Sequence, residues 1–266
     1  MNNKQKFPFR NHTILAVFVV GTVWLYSRNV TNSSVKNVSN FENPAISLIQ
    51  GTIKKEKEIP LDEESKLQTL SDEVIPLRGV EIPIEFRDLG PRLVRAGVID
   101  KEKFLSIYMN DTELKNIAEE FLGGTQVGRL IITRTNAPVA LNFLWAFGLG
   151  NKNKILEEGP MMDPQYKGAG NFASTGGWTL AQGVPMNHYS KHQFITLTAP
   201  QQALVERVSK NIYRPCCGNS TYFPDCNHGM AMLGLLELMA SQGFSEEEMY
   251  RSALAVNASW FPDTYL

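Results

Sequence analysis

The hydrophobic pattern divides the chain into four regions. Thr13 to Tyr26 (Thr-Ile-Leu-Ala-Val-Phe-Val-Val-Gly-Thr-Val-Trp-Leu-Tyr) is uncharged, between polar flanks. It is short beside the usual membrane span of about 17–25 residues and near the upper end of a signal-peptide apolar core of about 7–15. No Ala-x-Ala-like site follows Tyr26, and no cysteine stands there to accept a lipid. The sequence therefore predicts an uncleaved transmembrane signal anchor over residues 13–27, with Trp24 and Tyr26 at the far interface. Lys4, Lys6 and Arg10 precede it, so the positive-inside rule makes residues 1–12 a cytoplasmic basic tail and puts the rest on the outer side. Residues 28–74 read as a flexible linker: a polar coil rich in Asn and Ser, then mixed charge runs at Lys54–Glu58 and Asp62–Lys66.

From residue 75 to 266 the pattern becomes that of a folded domain. Asp88, Asp100 and Asp111 each precede a short run with helical spacing and read as N-caps; the third helix stops at Gly123-Gly124. Arg129–Thr133, β-branched and bounded by polar residues, is the best strand. Asn136 reads as the cap of an apolar helix that ends at Gly148-Leu-Gly150. Residues 151–185 fit neither period, and a loop longer than about 12–15 residues in a compact domain calls for a function or for packing of its own; Tyr166, Phe172 and Trp178 argue for packing. Thr198, Pro200 and Gln201 start another helix. Met230–Ala240 is apolar almost all round, with Glu237 its single charge, the mark of a central buried helix. Ser245 and Glu248 form a capping box for the last helix. The expected fold is mostly α: a compact helical extracytoplasmic domain with long Gly/Pro-rich loops, preceded by one transmembrane helix.

Composition adds exclusions. The 266 residues are 43% hydrophobic, enough for a real core, and the formal net charge of -1 provides no basic surface on the scale that nucleic acid requires. Gly168-Ala-Gly170 lacks the rest of a phosphate-binding loop. No Gly-x-Ser-x-Gly is present.

The chemistry gathers in residues 213–230. All three cysteines, Cys216, Cys217 and Cys226, lie there, followed by His228, Met230 and Met232. Thiolates and an imidazole on one short loop are the ligand set of a borderline or soft metal ion: Cys216, Cys217, Cys226 and His228 would suit Zn, and an added Met230 would suit Cu. His188 and His192 stand four apart, the spacing of one helix face, and form a second candidate ligand pair. Tyr189 occupies the place where a zinc protease carries glutamate, which disfavours proteolysis. Two alternatives stand beside the metal. One is a structural disulfide from Cys226 to Cys216 or Cys217 in an envelope interaction module, leaving one odd thiol. The other is thiol redox chemistry, with Cys226 at a helix N-terminus beside His228.

Pro215-Cys216-Cys217-Gly218, the apolar helix after it and Gly243-Phe-Ser-Glu-Glu-Glu-Met249 resemble the layout of bacterial envelope lipoproteins with a Pro-Cys-Tyr-Cys-Gly-Cys motif. The chain also resembles bacterial membrane-anchored Cys-motif proteins. Here the tyrosine between the first two cysteines is missing and Asn219 follows Gly218. The resemblance covers about a fifth of the chain and implies an envelope location with metal binding.

Overall fold

The computed structural model describes residues 75–124 and 128–265, together with the single positions 65, 66, 69 and 72. The expected tail (1–12), anchor (13–27) and nearly all of the linker lie outside the described residues. Among the described residues no helix is long and apolar enough to cross a membrane. These residues belong to one compact unit, Ile59–Leu266, and are mostly α, with nine helices and one two-stranded sheet.

Strand β1 (Val80–Ile82) pairs antiparallel with β2 (Leu130–Ile132), with Val80 opposite Ile132 and Ile82 opposite Leu130. Alternation sends Ile82, Leu130 and Ile132 inward and leaves Ile131 outside, as a period of two requires. Three short helices occupy the chain between the strands: α1 (Leu89–Arg95), α2 (Lys101–Ser106) and α3 (Thr112–Gly123). Asp100 caps α2 by accepting from the amides of Glu102 and Lys103, and Asp111 caps α3 by accepting from Leu114. Gly124 closes α3 in the left-handed conformation, φ 66°, which glycine adopts without a Cβ penalty. Asp88 and Asn136 also stand at the N-cap positions expected of them, but without a side-chain cap bond. The Asp88 side chain lies 3.8 Å from Arg92 one turn on. Asn136 accepts the Thr133 amide at 2.8 Å and donates to the Ile131 carbonyl at 2.7 Å, tying β2 to the following helix.

The centre is a pair of apolar helices, α4 (Ala137–Gly150) and α7 (Asn227–Ser241). Both bury most of their circumference instead of a single stripe, as an apolar pattern without a polar face predicts. They touch backbone to backbone: a Cβ on Gly148 would stand 2.2 Å from the Met230 carbonyl oxygen, and one on Gly234 2.7 Å from that of Leu144. These two glycines thus permit an approach that alanine would block. Around the pair lie α5 (Lys154–Glu158), α6 (Ala199–Lys210), α8 (Glu246–Trp260) and the short α9 (Pro262–Tyr265). Both expected capping boxes form, Thr198 with Gln201 and Ser245 with Glu248.

The irregular stretch after α5 is held by its own anchors. Four 3-10 turns (Pro160–Met162, Pro164–Tyr166, Ala169–Asn171 and Pro185–Asn187) punctuate it. Trp178 is fully buried and donates its indole N–H to the Val98 carbonyl at 2.8 Å; Trp145 of α4 packs edge-on against it and donates to the Ser174 carbonyl at 2.7 Å. Two packed indoles, one of them fully buried, with their N–H groups satisfied stabilise a segment that has no regular ladder.

Candidate metal centre

The cysteine loop leaves α6 as a small hairpin. Tyr213 and Ser220 form an antiparallel bridge, and the Thr221 amide donates to the Ile212 carbonyl at 2.8 Å. The tip, Pro215–Gly218, is a turn in which the Gly218 amide returns to the Arg214 carbonyl at 2.8 Å with Gly218 at φ 69°. Cys216 and Cys217 ride this exposed tip. The chain then folds back through Thr221–Asp225, and Cys226 becomes the N-cap residue of α7, its carbonyl accepting the Met230 amide at 3.0 Å. His228 follows in the first turn of α7, its ring packed on Phe261 with centroids 4.4 Å apart and edge-on to Trp260.

The hairpin tip and the helix start therefore meet. The Cys216 sulfur lies 3.7 Å from that of Cys226 and 3.8 Å from that of Cys217. Ligand atoms of Cys216, Cys226 and His228 all lie within 4.8 Å of one another, as do those of Cys217, Asp225 and Cys226. The two trios share Cys226. All three cysteines are free, and their sulfurs stand far from the about 2.05 Å of a disulfide.

Beneath the sulfurs lies a group that no motif in the sequence marks. The Arg214 side chain has 0% exposure. Its Nη2 donates to the Asp225 carboxylate at 2.7 Å and to the Phe223 carbonyl at 3.0 Å. Asn219 Nδ2 donates to the other oxygen of that carboxylate at 2.9 Å. The guanidinium lies close against Gly229, where a Cβ would stand 1.7 Å from Nη1. Among the described residues Nε and Nη1 have no hydrogen-bond partner, so this cation is buried with part of its donor fork unused. The one-dimensional signal is Gly229 in the first turn of α7, one of two glycines in that helix, each a position that calls for a packing reason.

Electrostatics separates the four candidate ligands. Burial pushes the Cys216 thiol up to about 12, with the neighbouring Cys226 and Cys217 adding to the effect. Burial also raises Cys226, against the opposing pull of the Arg214 charge and the Gly229 amide. At Cys217 burial is outweighed by the Asn219 backbone N–H and by Arg214, and its thiol is lowered. Burial and then Arg214 lower His228 to about 4, so its imidazole is neutral near pH 7 and offers a lone pair, the form in which histidine ligates.

The other candidates are elsewhere. Met230 is fully buried two positions after His228, about 200° around the helix, and its backbone faces α4. His188 and His192 are in neither cluster, and they do not share a helix: Pro185–Asn187 is a 3-10 turn and Ser190 takes φ 49°. The bent chain nevertheless brings their rings to 5.4 Å, near-parallel, with His188 Nδ1 3.1 Å from His192 Nε2.

Comparisons with protein-family descriptions, with curated protein sequences and with solved structures found no match.

Proposed function

We propose that this chain is a membrane-anchored protein whose domain on the outer side binds a transition metal, Zn or Cu, through Cys216, Cys226 and His228, with Cys217 as the fourth donor. The observation that carries the reading is the sulfur spacing beside a neutral imidazole. Two thiolates bound to one tetrahedral zinc at about 2.3 Å stand about 3.8 Å apart, and Cys216 lies 3.7 and 3.8 Å from its two partners. Arg214 fits the reading as a support: it favours thiolate at Cys217 and Cys226, while Asp225 balances its charge. The membrane anchor rests on the uncharged run over 13–27 and the basic residues before it.

A second reading has its own support. Cys216 and Cys226 are neighbours at 3.7 Å, and closing that gap on oxidation would form a disulfide that pins the hairpin to α7 and leaves Cys217 free, the arrangement of an envelope interaction module. Elemental analysis with thiol counting on chain purified without chelator separates the two. About one equivalent of Zn or Cu, with thiols that react only after chelation, supports the metal. No metal and a single reactive thiol would sink it in favour of the disulfide.

A further inference from the structure

The imidazole pair lies beside a hollow that shares no residue with the thiol cluster. Residues Lys191–Phe194 run along α1 and leave an open cavity of about 510 Å³, lined among others by Arg92, Arg95, Lys191, His192 and Phe194. Three formal cations face it and no carboxylate lines it.

Two of its walls are fixed. Arg92 donates to the Gln193 carbonyl at 3.2 Å and its guanidinium carbon stands 5.6 Å from the centre of the Phe194 ring. A guanidinium held on an aromatic face loses less rotamer freedom when it takes up a ligand. His192 is set between the Phe194 ring, at 5.2 Å, and the His188 ring. His188 Nε2 lies 3.1 Å from the Gln182 carbonyl, an acceptor only, so that nitrogen carries the proton. His188 Nδ1 and His192 Nε2 share the hydrogen bond between the rings across 3.1 Å. Both nitrogens of His188 are thus committed, and the pair forms a wall rather than a chelate.

Charge points the same way. A metal ion here would meet three cations and no anion among the lining residues. Asp88, 3.8 Å from Arg92 Nη1 and three-quarters exposed, is the one carboxylate in an ion pair with them among the described residues. Arg95 and Lys191 make no ion pair among the described residues. Cations clustered on a concave surface, two of them planar forks, are the means by which proteins hold oxyanions. A carboxylate would answer one of these charges; a phosphate dianion answers more of them.

We propose that this hollow binds a phosphate-type oxyanion through Arg92, Arg95 and Lys191, beside the His192 ring that His188 backs. The phosphate could belong to a soluble compound or to a lipid headgroup. The test is calorimetric titration of the full chain with inorganic phosphate and, separately, with glycerol 3-phosphate as a soluble headgroup. The expected result is saturable binding that weakens roughly tenfold in Arg92→Gln, the loss of one charge-assisted contact. In the doubly substituted Arg95→Gln/Lys191→Gln chain it should be undetectable. Both double-variant positions are on the surface, so the fold should survive, and an unchanged melting temperature verifies this. Tighter binding of glycerol 3-phosphate would assign an organic phosphate or headgroup, and equal binding the free anion. No saturable binding of either probe, or binding unchanged in the double variant, would overturn the proposal.

Discussion

Arg214 and Glu237 are both fully buried, the first packed against the first turn of α7 and the second on α7 near its C-terminal end, and they are partnered in opposite ways. Arg214 keeps its charge. It has a carboxylate at 2.7 Å and a carbonyl at 3.0 Å, and guanidinium does not release its proton in proteins. Glu237 has no ion-pair partner among the described residues. Asn151 donates to one of its oxygens, and burial raises the carboxyl well above its usual range, with that hydrogen bond too weak to offset it. A buried carboxyl without a counter-ion takes a proton instead of a charge. One helix thus carries an ionised end and a neutral far end. The ionised end is where three thiols and an imidazole gather, and there the retained charge changes the state of the ligands. At the far end Glu237, Asn151 and the Ile195 amide, which donates to Asn151 at 3.0 Å, form a polar joint between α7, the end of α4 and the strap before α6.

The contrast can be broken at either end. The largest effect should come from Arg214→Met, which leaves Asp225 with no cation; removing one partner of a buried pair costs about 3–5 kcal/mol, read as a lower denaturation midpoint. Gly229→Ala attacks the same contact from the helix side by driving a Cβ onto Nη1, and overpacking of this kind costs about 1–3 kcal/mol.

Next in size are the ligands. Cys226 belongs to both trios, so Cys226→Ser should weaken zinc affinity by at least about a hundredfold, about 2.7 kcal/mol. Met230→Leu should leave affinity unchanged, since that side chain is turned into the core. Competition with a chromophoric chelator measures both, and equal losses in the two variants would contradict the assignment.

Proton release should be smaller but specific. Cys216 and Cys226 are raised and His228 is already neutral, so zinc binding near pH 7 should release at least two protons, all from thiols. Calorimetry in buffers of different ionisation enthalpy counts them.

The smallest effect belongs to Glu237. Its folded pKa is above the unfolded value of 4.5, so the folded state holds the extra proton. Stability from this group is full below about pH 4.5 and is lost as pH rises towards the folded value. Glu237→Gln should remove that slope and be more stable than the parent at alkaline pH, as thermal melts from pH 5 to 9 would record. A slope that persists in the variant would place its source elsewhere.

Much of the helical frame is legible in the sequence because it is written locally. Thr198 with Gln201, Ser245 with Glu248, and Asp100 and Asp111 before their helices are signals within four residues, and each forms the bonds its type implies. Asn136 and Asp88 show the limit: a capping residue beside a strand end or an arginine one turn on has competing partners, and the three-dimensional partner wins. The thiol loop is legible as a cluster because its members are close in sequence. Arg214 is not, since its burial depends on Gly229 and on a turn at Phe223–Asp225 that no spacing rule encodes. His188 and His192 illustrate the converse. Their spacing suggests a helix face, whereas Pro185 and the left-handed Ser190 bend the chain, and the rings meet by a different route with a different consequence.

One ion held jointly by the hairpin tip and the start of α7 is the centre of the proposed function. Cobalt substitution tests it most directly, since Co2+ takes the place of Zn2+ and its absorption reports thiolate ligation and geometry. The expected result is thiolate-to-cobalt charge-transfer absorption with the visible bands of a tetrahedral ion, and a loss of charge-transfer intensity in both Cys216→Ser and Cys226→Ser. Absorption that stays that of hydrated cobalt, or bands that neither substitution changes, would contradict it.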